Sequence, residues 1–391
     1  MRLGLHYHVP ACYRDGVIRA PAFLGLFIDS LTAHCESLLY FANSPVGDEM
    51  NMMDYVIKSP NVKLVDLGPH VSIPVRTVRA AFHVPSLLKS QVEVDLLLLR
   101  APTPLLPLFY AVWRKPTALL LVSDELAGIE NLPQPAWRKA TIRLWAQWNH
   151  RLQMRLSKQS LVFVNSQLLY ENYRAQLPGM ILTQTTTLRE SDFYYREDTC
   201  ISSPYRLLYA GRITRIKGIF EIVRALSNLV KDGFDVVLDL VGMLDNSDPI
   251  LEPILELARS LDVDGRVQYH GYKTAGPELL EYYRRADIYV TASQSSNEGF
   301  PRTIWEAMAS STPVIATGVG SIPAFVSGAA VLVPPKDIDA LTGALRSLIT
   351  DKELRRCLVS RGLALAKSNT LEKRAEELIT KMEAWLAGEK S

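Results

Sequence analysis

Short apolar runs alternate with amphipathic segments along most of the 391-residue chain. In the first half, the runs predict the strands Leu3–His8, Ser37–Phe41, Val62–Leu67, Val94–Leu99, Ala118–Val122, Leu161–Val164 and Ile181–Thr187. In the second half, they predict Arg206–Ala210, Val236–Val241, Val267–His270, Ile288–Thr291 and Val314–Ala316. Helical patterns lie between the strands, among them Ala22–Leu31 and 137–156. This alternation predicts an α/β fold with two sheets.

The polar stretch from Arg189 to Pro204 separates the two halves and is interpreted as a linker. A chain of 391 residues is long enough for two domains that each bury their own core. No repeat of short period is visible, so the halves resemble each other only in their α/β pattern. We therefore predict two α/β domains.

Composition excludes several classes of protein. The net charge of +2 and the 21% of charged residues carry no nucleic-acid signature, so no nucleic-acid partner is expected. The start of the chain lacks a signal-peptide core, and no apolar run approaches about 18 residues. The four cysteines are scattered without metal-ligand spacing, which favours a reducing cytoplasm and no structural zinc. They are Cys12, Cys35, Cys200 and Cys357.

The segment 296–309 holds two glutamates, Glu298 and Glu306, around a predicted helix start. Gly299 is followed by Pro301 at the first helical position, which suits proline because the first N–H groups of a helix are unpaired anyway. The remaining N–H groups and the positive dipole end favour an anion such as phosphate. Carboxylates beside that seat repel a phosphate, so we interpret them as groups that bind hydroxyls. An ordinary helix start with two solvated glutamates is the alternative.

The spacing of the two glutamates argues against a hydrolase. Eight residues along a helix span about 12 Å. The paired carboxylates of a glycosidase stand about 5–9.5 Å apart. The longer span suits the two ends of a sugar-diphosphate-ribose unit.

A basic loop lies upstream of this acidic segment. The strand-like run that ends at Ala210 turns at Gly211 and is followed by Arg212, Arg215 and Lys217. Cations just beyond the carboxyl end of a strand lie where α/β folds bind anionic ligands. Arginine offers a planar fork of donors to phosphate, and lysine offers a compact charge. A solvated loop of basic residues is the alternative.

Together these motifs resemble the donor site of retaining GT-B glycosyltransferases, of the large family that includes bacterial polysaccharide and lipopolysaccharide sugar transferases (family 4-like). The resemblance covers about residues 205–350 and is specific for the family, not for one sugar. Its motifs are Gly211-Arg212, Lys217-Gly218, Glu298-Gly-Phe-Pro, Glu306-Ala-Met-Ala, Pro313-Val-Ile-Ala-Thr, Val319-Gly320 and Val331-Leu-Val-Pro334.

The resemblance implies a GT-B architecture, in which two Rossmann-like domains face a central cleft. Residues 1–188 would form the acceptor-side domain and residues 189–370 the domain that binds the nucleotide-sugar donor. The helix-prone tail, about 371–391, would pack back on the first domain. The implied partners are a nucleotide-sugar donor and a glycan or lipid-linked acceptor. No cofactor is implied beyond the co-substrate, a UDP- or GDP-sugar.

The family pattern also implies a role for each donor-site residue. Arg212 and Lys217 would neutralise the diphosphate and stabilise the leaving group. Glu298 would bind hydroxyls of the transferred sugar, and Glu306 would bind the ribose. Backbone groups of the helix start would hold the distal phosphate, and these belong to Gly299, Phe300, Pro301, Arg302 and Thr303, although Pro301 has no donor.

Tyr272 follows the predicted strand Val267–His270 at the place where the family seats the nucleotide base. A tyrosine packed at a strand end is an equally good interpretation of the same position. The family chemistry is transfer with retention, in which the departing phosphate oxygen takes the proton of the acceptor. Such a site depends on charge and orientation and needs no metal.

The first domain fits the family less well. Relatives often carry a glycine-rich loop after the first strand, whereas Val9–Gly16 contains only Gly16. Many relatives place a His-Asp pair at a strand end, where this chain has Ser123 and Asp124. We expect Asp124, His8 and Gly16 on the acceptor side. Capping of the next segment is the alternative role for Asp124.

His6 and His8 alternate on the first predicted strand and would share one face. No third ligand lies near them in sequence, so no metal site is predicted. Contact with the cleft or satisfied packing is the preferred interpretation.

The helix-like segment 137–158 is basic and rich in tryptophan. Its apolar positions cluster on one side of a helical wheel, which is the pattern of a helix in an anionic membrane interface. The same pattern describes a helix that packs its tryptophans into the core, and we favour that interpretation. The clustered residues are Trp137, Leu144, Trp145, Trp148, Leu152 and Leu156.

Two other functions share the donor motif. One is a nucleotide-sugar epimerase of the same fold, which would need acid and base residues at the sugar ring. The other is a catalytically silent nucleotide-sugar-binding subunit, which would have no chemical need of all four charged residues. A dinucleotide-dependent oxidoreductase is disfavoured because Gly318-Val-Gly320 lacks the third glycine. The base, sugar, acceptor and pathway stay open, and cell-surface glycan synthesis is a family-level expectation.

Overall fold

The structure is a computed structural model that describes residues 1–124, 126, 129, 134–245, 249–296, 298–326 and 328–388. The chain divides into two compact units. The N-terminal unit comprises Met1–Gln184 and the segment that starts at Arg374, and the C-terminal unit comprises Thr185–Lys373. Each unit has a parallel sheet with a hydrophobic core on either face.

In the described part of the N-terminal unit, seven strands form a parallel sheet in the order β10-β9-β8-β7-β1-β4-β6. The pairs that join them, such as β1 with β4 and with β7, are all parallel. The strands are β1 Arg2–His6, β4 Ser37–Ser44, β6 Val62–Pro69, β7 Leu96–Ala101, β8 Thr117–Leu121, β9 Leu161–Val164 and β10 Ile181–Leu182.

Apolar residues fill both faces of this sheet, which is why its strands read as continuous apolar runs. In β7, Leu96 and Leu98 point into one core while Leu97 and Leu99 point into the other. The helices of this unit cover the two faces. They are α1 Ala22–Thr32, α2 Ile73–Arg79, α3 Val84–Ser90, α4 Leu106–Val112, α5 Ala136–Ser157 and α6 Gln167–Tyr173.

A small antiparallel sheet, β2 Cys12–Arg14, β3 Val17–Ala20 and β5 Tyr55–Val56, was not predicted. The strands β2 and β3 form a hairpin whose two turn residues, Asp15 and Gly16, have φ of 53° and 80°. A two-residue Asp-Gly turn with positive φ at both positions is a strong hairpin signal. The segment Val9–Gly16, where relatives often carry a glycine-rich loop, is therefore in part a hairpin.

Several strand predictions were wrong in extent, among them those of the first and the last strand of this unit. The first strand ends at His6, not at His8. The last strand of the sheet is only Ile181–Leu182, because the chain leaves its neighbour β9 and enters the C-terminal unit at Thr185. The threonines that follow Leu182 are β-branched and extended the prediction to Thr187, although that segment does not pair in the sheet.

In the described part of the C-terminal unit, six strands form a parallel sheet in the order β13-β12-β11-β14-β15-β16. The strands are β11 Tyr205–Ala210, β12 Val236–Val241, β13 Val267–Tyr269, β14 Ile288–Thr291, β15 Val314–Thr317 and β16 Val331–Val333. The helices are α7 Ile219–Lys231, α8 Leu251–Ser260, α9 Pro277–Arg285, α10 Arg302–Ala309, α11 Ile322–Val326, α12 Ile338–Thr350 and α13 Lys352–Lys367.

The last helix, α14 Leu371–Leu386, belongs to both units. It starts in the C-terminal unit, where the Leu371 N–H donates to the Leu188 carbonyl at 2.7 Å. Its later residues lie in the core of the N-terminal unit, beside residues of β1, β4 and β7. The buried side chains are those of Ala375, Leu378, Ile379 and Met382.

The helix α5 packs only part of its predicted apolar side into the core: Leu152 is buried and Trp145 half-buried, whereas the preferred interpretation was wrong for the other two tryptophans. Trp137 is 70% exposed, Leu144 67% and Trp148 45%, and these three lie on one side of the helix. The opposite side is buried and includes Ala146 and Asn149. Among the described residues, no helix is both long and apolar enough to cross a membrane.

Candidate functional site

The basic loop and the acidic segment lie together in the C-terminal unit, although some eighty positions separate them in sequence. The Lys217 ammonium donates to both oxygens of Glu298, each at 2.7 Å. Ser293 Oγ donates to Glu298 Oε2 at 2.5 Å. The side chains of Lys217 and Glu298 are only 16% and 12% exposed. The Glu298 carboxylate is therefore paired with a cation at the carboxyl end of the sheet.

Backbone contacts that only glycine permits hold the basic loop in place. Gly218, at the start of α7, has φ +70°, and a Cβ there would lie 2.0 Å from the Ala292 carbonyl oxygen. The Gln294 N–H donates to the Ile216 carbonyl at 2.8 Å. The loop after β11 and the loop after β14 are thus joined, which places Lys217 against Glu298.

A second glycine fixes Glu298 from the other side. Gly320 has φ +55°, and a Cβ there would lie 2.0 Å from the Glu298 carbonyl oxygen. The Ser321 N–H donates to that oxygen at 2.9 Å. The Val319-Gly320 motif is therefore part of the frame that orients the acidic loop.

The helix start differs from the prediction by one position. Pro301 is the residue before α10, with φ −69° and ψ 120°, and Arg302 is the first helical residue. Glu298 lies outside the helix, so the span of about 12 Å expected for eight helical residues does not apply. Gly299 is exposed, and a Cβ there would meet nothing within 4 Å.

Side chains around the helix start fix its position. Phe300 is buried and packs on Trp305, with ring centroids 4.3 Å apart. The Tyr289 hydroxyl donates to Thr303 Oγ1 at 2.6 Å. Burial raises the pKa of Tyr289, which keeps it a neutral donor. These contacts leave the backbone of the helix start as the group that can meet an anion.

Arg212 is exposed, in contrast to Lys217. Its carbonyl accepts a hydrogen bond from the Tyr209 hydroxyl at 2.7 Å, which fixes the backbone of the loop. No carboxylate of the described residues forms an ion pair with its guanidinium. Of the two predicted diphosphate-binding cations, Lys217 is therefore paired with a carboxylate, whereas Arg212 has no such pair in the part of the chain that the structure describes.

Glu306 points into the core and is only 5% exposed. Thr187 Oγ1 donates to its Oε1 at 2.6 Å, and the Tyr283 hydroxyl donates to its Oε2 at 2.9 Å. Burial, and then the charge of Glu306, raises the pKa of Tyr283 well above its usual value. Each carboxylate oxygen keeps a lone pair for another donor. Ribose binding by Glu306 stays a prediction.

Tyr272 follows β13 and is 49% exposed. Its neighbour Gly271 has φ +72° and accepts the Gly242 N–H through its carbonyl at 2.9 Å. The exposed ring favours stacking on a base over packing at a strand end. The base-binding role stays a prediction.

The two histidines of the N-terminal unit have different surroundings. His6 is fully buried, with Nδ1 2.9 Å from the Phe41 carbonyl and Nε2 2.9 Å from Thr103 Oγ1. Burial lowers the pKa of His6 to about 4, so it is a neutral core residue. His8 lies beyond the end of β1 and contacts Arg100 Nη1. The expectation that both lie on one strand was therefore wrong.

Asp124 and Gly16 have local roles in the structure. Asp124 Oδ1 accepts the Leu126 N–H at 2.9 Å, which is the turn-capping alternative named above. Gly16 lies at the exposed tip of the β2–β3 hairpin. Acceptor contact by either residue stays a prediction. In the part of the chain that the structure describes, no group of three or more acidic, histidine or cysteine residues is arranged to hold a metal.

Sequence reasoning missed three hydroxyl side chains that hold the two glutamates. Ser293 binds Glu298, and Thr187 and Tyr283 bind Glu306. Ser293 could have been found because it lies five positions before Glu298 on the same loop. Thr187 and Tyr283 come from distant segments, and nothing in their sequence context marks them.

Residues 195–363 match the family model described as glycosyl transferases group 1. The matched region contains the basic loop, the acidic segment and the whole parallel sheet of the C-terminal unit. The resemblance stated from the sequence for about residues 205–350 is therefore confirmed.

The similarity to curated relatives is partial. A D-inositol 3-phosphate glycosyltransferase of Corynebacterium diphtheriae is 31% identical over 186 residues, which are 46% of this chain and 43% of that protein. The chain spans about half the length of the curated relatives it matches, 43% and 56% for the first two.

Two solved structures cover nearly the whole chain. Anabaena Alr3699/HepE in complex with UDP and glucose has a TM-score of 0.71 at 16% identity, over 98% of this chain and 100% of that one. Sucrose-phosphate synthase from Thermosynechococcus elongatus has a TM-score of 0.72 at 19% identity, over 99% of both. At this identity the likeness shows the fold alone. The predicted α/β fold of GT-B type, with two Rossmann-like domains, is confirmed.

Proposed function

We propose that this protein is a retaining glycosyltransferase that moves a sugar from a nucleotide-diphosphate sugar to a hydroxyl of a glycan or lipid-linked acceptor. The observation that carries the proposal is the mostly buried Lys217–Glu298 pair beside the start of α10. The cation and the helix N-terminus can bind a diphosphate, and the hydroxyl-binding carboxylate can bind the sugar attached to it. The family match of residues 195–363 supports the same activity.

Each group then has one role. Lys217 and the exposed Arg212 bind the diphosphate and stabilise the charge that develops on the leaving phosphate oxygen. Glu298 accepts hydrogen bonds from hydroxyls of the transferred sugar. The backbone at Arg302 and Thr303 meets the distal phosphate, and Glu306 with Tyr272 holds the nucleoside.

In the reaction, the bond between the anomeric carbon and the phosphate oxygen breaks, and a bond from that carbon to the acceptor oxygen forms. The acceptor attacks from the face that the phosphate leaves, and its proton passes to the departing phosphate oxygen. Glu298 is stabilised as an anion by Lys217 and Ser293, which makes it a weak nucleophile. Retention through attack on the same face is therefore favoured over a covalent intermediate.

We propose that the positive charge at the diphosphate comes from the protein, so the reaction does not require a metal ion. Addition of EDTA should then leave the rate unchanged, and recovery of a lost rate by Mg²⁺ or Mn²⁺ would contradict this part.

The activity is tested with UDP- and GDP-sugars, by release of the nucleoside diphosphate with and without acceptors. Glu298→Gln and Lys217→Ala should each lower kcat/KM by about 10²–10⁴-fold, as expected for lost stabilisation of transition-state charge. The matched controls are Glu252→Gln and Lys231→Ala, which alter exposed residues of α8 and α7. Release that does not depend on acceptor would favour an epimerase or hydrolase, and near-normal turnover of both site variants would refute the assignment.

The relatives suggest the setting of the reaction. One is named for transfer to inositol 3-phosphate, and one structure holds UDP and glucose. We propose a UDP- or GDP-sugar as donor and a role in the synthesis of a cell-surface polysaccharide or glycoconjugate. Residues 189–370 would bind the donor and residues 1–188 the acceptor.

We also propose that α5 binds the surface of an anionic membrane. Its outward side presents Trp137, Leu144 and Trp148, and arginines lie beside and beyond them at Arg151 and Arg155. Aromatic side chains and cations on one exposed side are what an anionic lipid interface attracts.

Cosedimentation with vesicles tests this contact. Vesicles of phosphatidylcholine with phosphatidylglycerol should bind the protein, and phosphatidylcholine alone should bind it much less. The double variant Trp137→Ala/Trp148→Ala should lose most binding, whereas Tyr13→Ala, which alters a 68% exposed aromatic residue on the hairpin, should not. Binding that is insensitive to salt or equal in both variants would refute the proposal.

A further inference from the structure

Four basic residues gather at one edge of the N-terminal sheet, and we call them the basic cluster: His8, His70, Arg76 and Arg100. Arg100 is the next-to-last residue of β7, and His8 follows β1. His70 directly follows β6, and Arg76 is on α2. In the sheet order β7-β1-β4-β6, β7 lies beside β1 and β6 lies two strands from β1, and because the strands are parallel their carboxyl ends lie along one edge. In open parallel sheets, that edge is where ligands bind.

The contacts within the basic cluster orient its side chains. Arg100 Nη1 contacts the His8 ring, and the Arg100 guanidinium carbon lies 4.5 Å above the centre of the Tyr7 ring. An aromatic face beneath a guanidinium holds it flat and leaves its edge for a ligand. Burial, followed by the charge of Arg100, lowers the pKa of His8 to about 3, so His8 is neutral.

The acidic residues near the two arginines of the basic cluster bind other groups, although the charge of Glu49 also acts on Arg76. Arg76 Nε and Arg100 Nε are buried atoms without a hydrogen-bond partner among the described residues. The nearby acids bind elsewhere: Glu49 contacts His70 at 2.6 Å, and Asp66 accepts from Ser44 Oγ at 2.7 Å. No ion pair of the described residues includes either arginine.

The two charges also act on the same neighbours. Arg76 and Arg100 both lower the pKa of His6 and that of His8, so the positive charge of each arginine acts on both imidazole rings. The buried Nε atoms of the two arginines cost free energy because each loses water and gains no hydrogen bond among the described residues. A bound anion would offset this free energy, because the N–H donors of a guanidinium match the spacing of the oxygens of a phosphate or a carboxylate.

We propose that the basic cluster is a binding subsite for an anionic group, a phosphate or a carboxylate, carried by the acceptor. Arg100 and Arg76 bind its oxygens, while His8 and His70 line the subsite. Two cations favour a phosphate over a carboxylate, because a phosphate monoester carries up to two charges. The inference rests on the proposed function, in which the N-terminal unit binds the acceptor.

Three sugars that share one ring test the subsite: glucose 6-phosphate, glucuronate and glucose. Calorimetric titrations are made at constant ionic strength, both with and without saturating UDP. We expect glucose 6-phosphate to bind at least tenfold more tightly than glucose. Arg76→Gln and Arg100→Gln should each weaken that binding at least tenfold, with melting temperature and UDP affinity unchanged. The matched control is Arg79→Gln, which alters an exposed arginine of the same helix.

The outcomes separate the possibilities. Tight binding of glucose 6-phosphate alone identifies a phosphate subsite, and equal binding of glucuronate identifies one for either anion. Equal binding of all three sugars, or an equal loss in Arg79→Gln, would overturn the inference. Failure of any nucleotide to bind the wild-type protein would count against the proposed function instead, because the titration without UDP still tests the basic cluster.

Discussion

Removal of the charge of Glu298 should tighten the binding of a free nucleoside diphosphate while it impairs transfer of the sugar. In the structure, Lys217 is already neutralised by Glu298, with 2.7 Å from its ammonium to each carboxylate oxygen. An entering diphosphate must share that ammonium with the carboxylate and meets the negative charge of the carboxylate as well. Glu298→Gln keeps the size of the side chain and one acceptor oxygen, and the Glu298 carbonyl keeps its bond from the Ser321 N–H, so the loop should keep its shape.

The magnitude follows from these distances. The attraction within a pair at about 3 Å is about 5 kcal/mol at an effective dielectric constant of about 20. A phosphate oxygen bound beyond Lys217 would stand about 7 Å from Glu298, where one pair of like charges costs about 2 kcal/mol. The pair is slightly exposed, and salt screens part of this repulsion, so we expect about 1 kcal/mol. The dissociation constant should therefore fall about fivefold.

The assay is calorimetric titration of the wild type and of Glu298→Gln with whichever of UDP and GDP binds. Lys217→Ala is the opposite control. It should weaken the binding of the same nucleotide, because it removes the ammonium that attracts the diphosphate and leaves the carboxylate that repels it. With the complete nucleotide sugar, Glu298→Gln should show no such gain, since a sugar contact is lost.

Two results would refute this reasoning. If Glu298→Gln weakens the binding of the free nucleoside diphosphate and of the nucleotide sugar equally and also lowers the melting temperature, the role of Glu298 is to maintain the structure of the loop. If it changes neither, Lys217 does not meet the diphosphate.

Three further predictions concern the frame of the site and the N-terminal core. Glu306→Ala should lower the free energy of unfolding by about 2–4 kcal/mol, because it leaves the hydroxyls of Thr187 and Tyr283 unpaired and opens a cavity. In denaturant titrations, Glu306→Gln should lower it by less than half as much, and equal decreases for the two variants would contradict this account. Gly218→Ala should unfold the loop or lower the melting temperature by several degrees, since its Cβ would overlap the Ala292 carbonyl; Gly233→Ala, at another positive φ but in open space, is the control. The pKa of His6 in the folded protein, about 4, lies below its ordinary value of 6.5, so the unfolded chain takes up a proton first and stability is lost as pH falls from about 6.5 towards 4. At pH 5.5, His6 lowers the free energy of unfolding by about 1.4 kcal/mol. The melting temperature of His6→Gln should therefore decline less steeply with acid than that of the wild type, and parallel curves would contradict the assignment.

The elements whose both faces are buried were the ones that the sequence predicted well. The run Leu96–Leu99 could be recognised because every residue is apolar, and strands such as Ile288–Thr291 agree to the residue. Strand ends and the small antiparallel sheet were harder, because Val17–Ala20 and Tyr55–Val56 are short and depend on pairing across the chain. The Asp15-Gly16 turn was the available signal.

The residues of the candidate site could be predicted where they belong to recognisable motifs, but not where the folded chain brings distant segments together. Lys217 and Glu298 stand in recognisable motifs, and the structure brings them into contact. The partners of Glu306 could not be predicted, because Thr187 and Tyr283 approach it from segments that the chain path alone brings near. The direction of the α5 tryptophans could not be predicted either, since a helical wheel shows which residues share a side and not which side is covered.

The helix α14 has a consequence for the order in which the protein can form. The residues that complete the core of the N-terminal unit, Ala375 to Met382, are translated after the whole of the C-terminal unit. Each of the larger side chains among them contributes about 1.5–3 kcal/mol by burial. During synthesis, the N-terminal unit therefore lacks these side chains of its core until the C-terminal unit has been translated. The N-terminal half of the chain thus forms the unit whose core receives its last side chains after the other unit is complete in sequence.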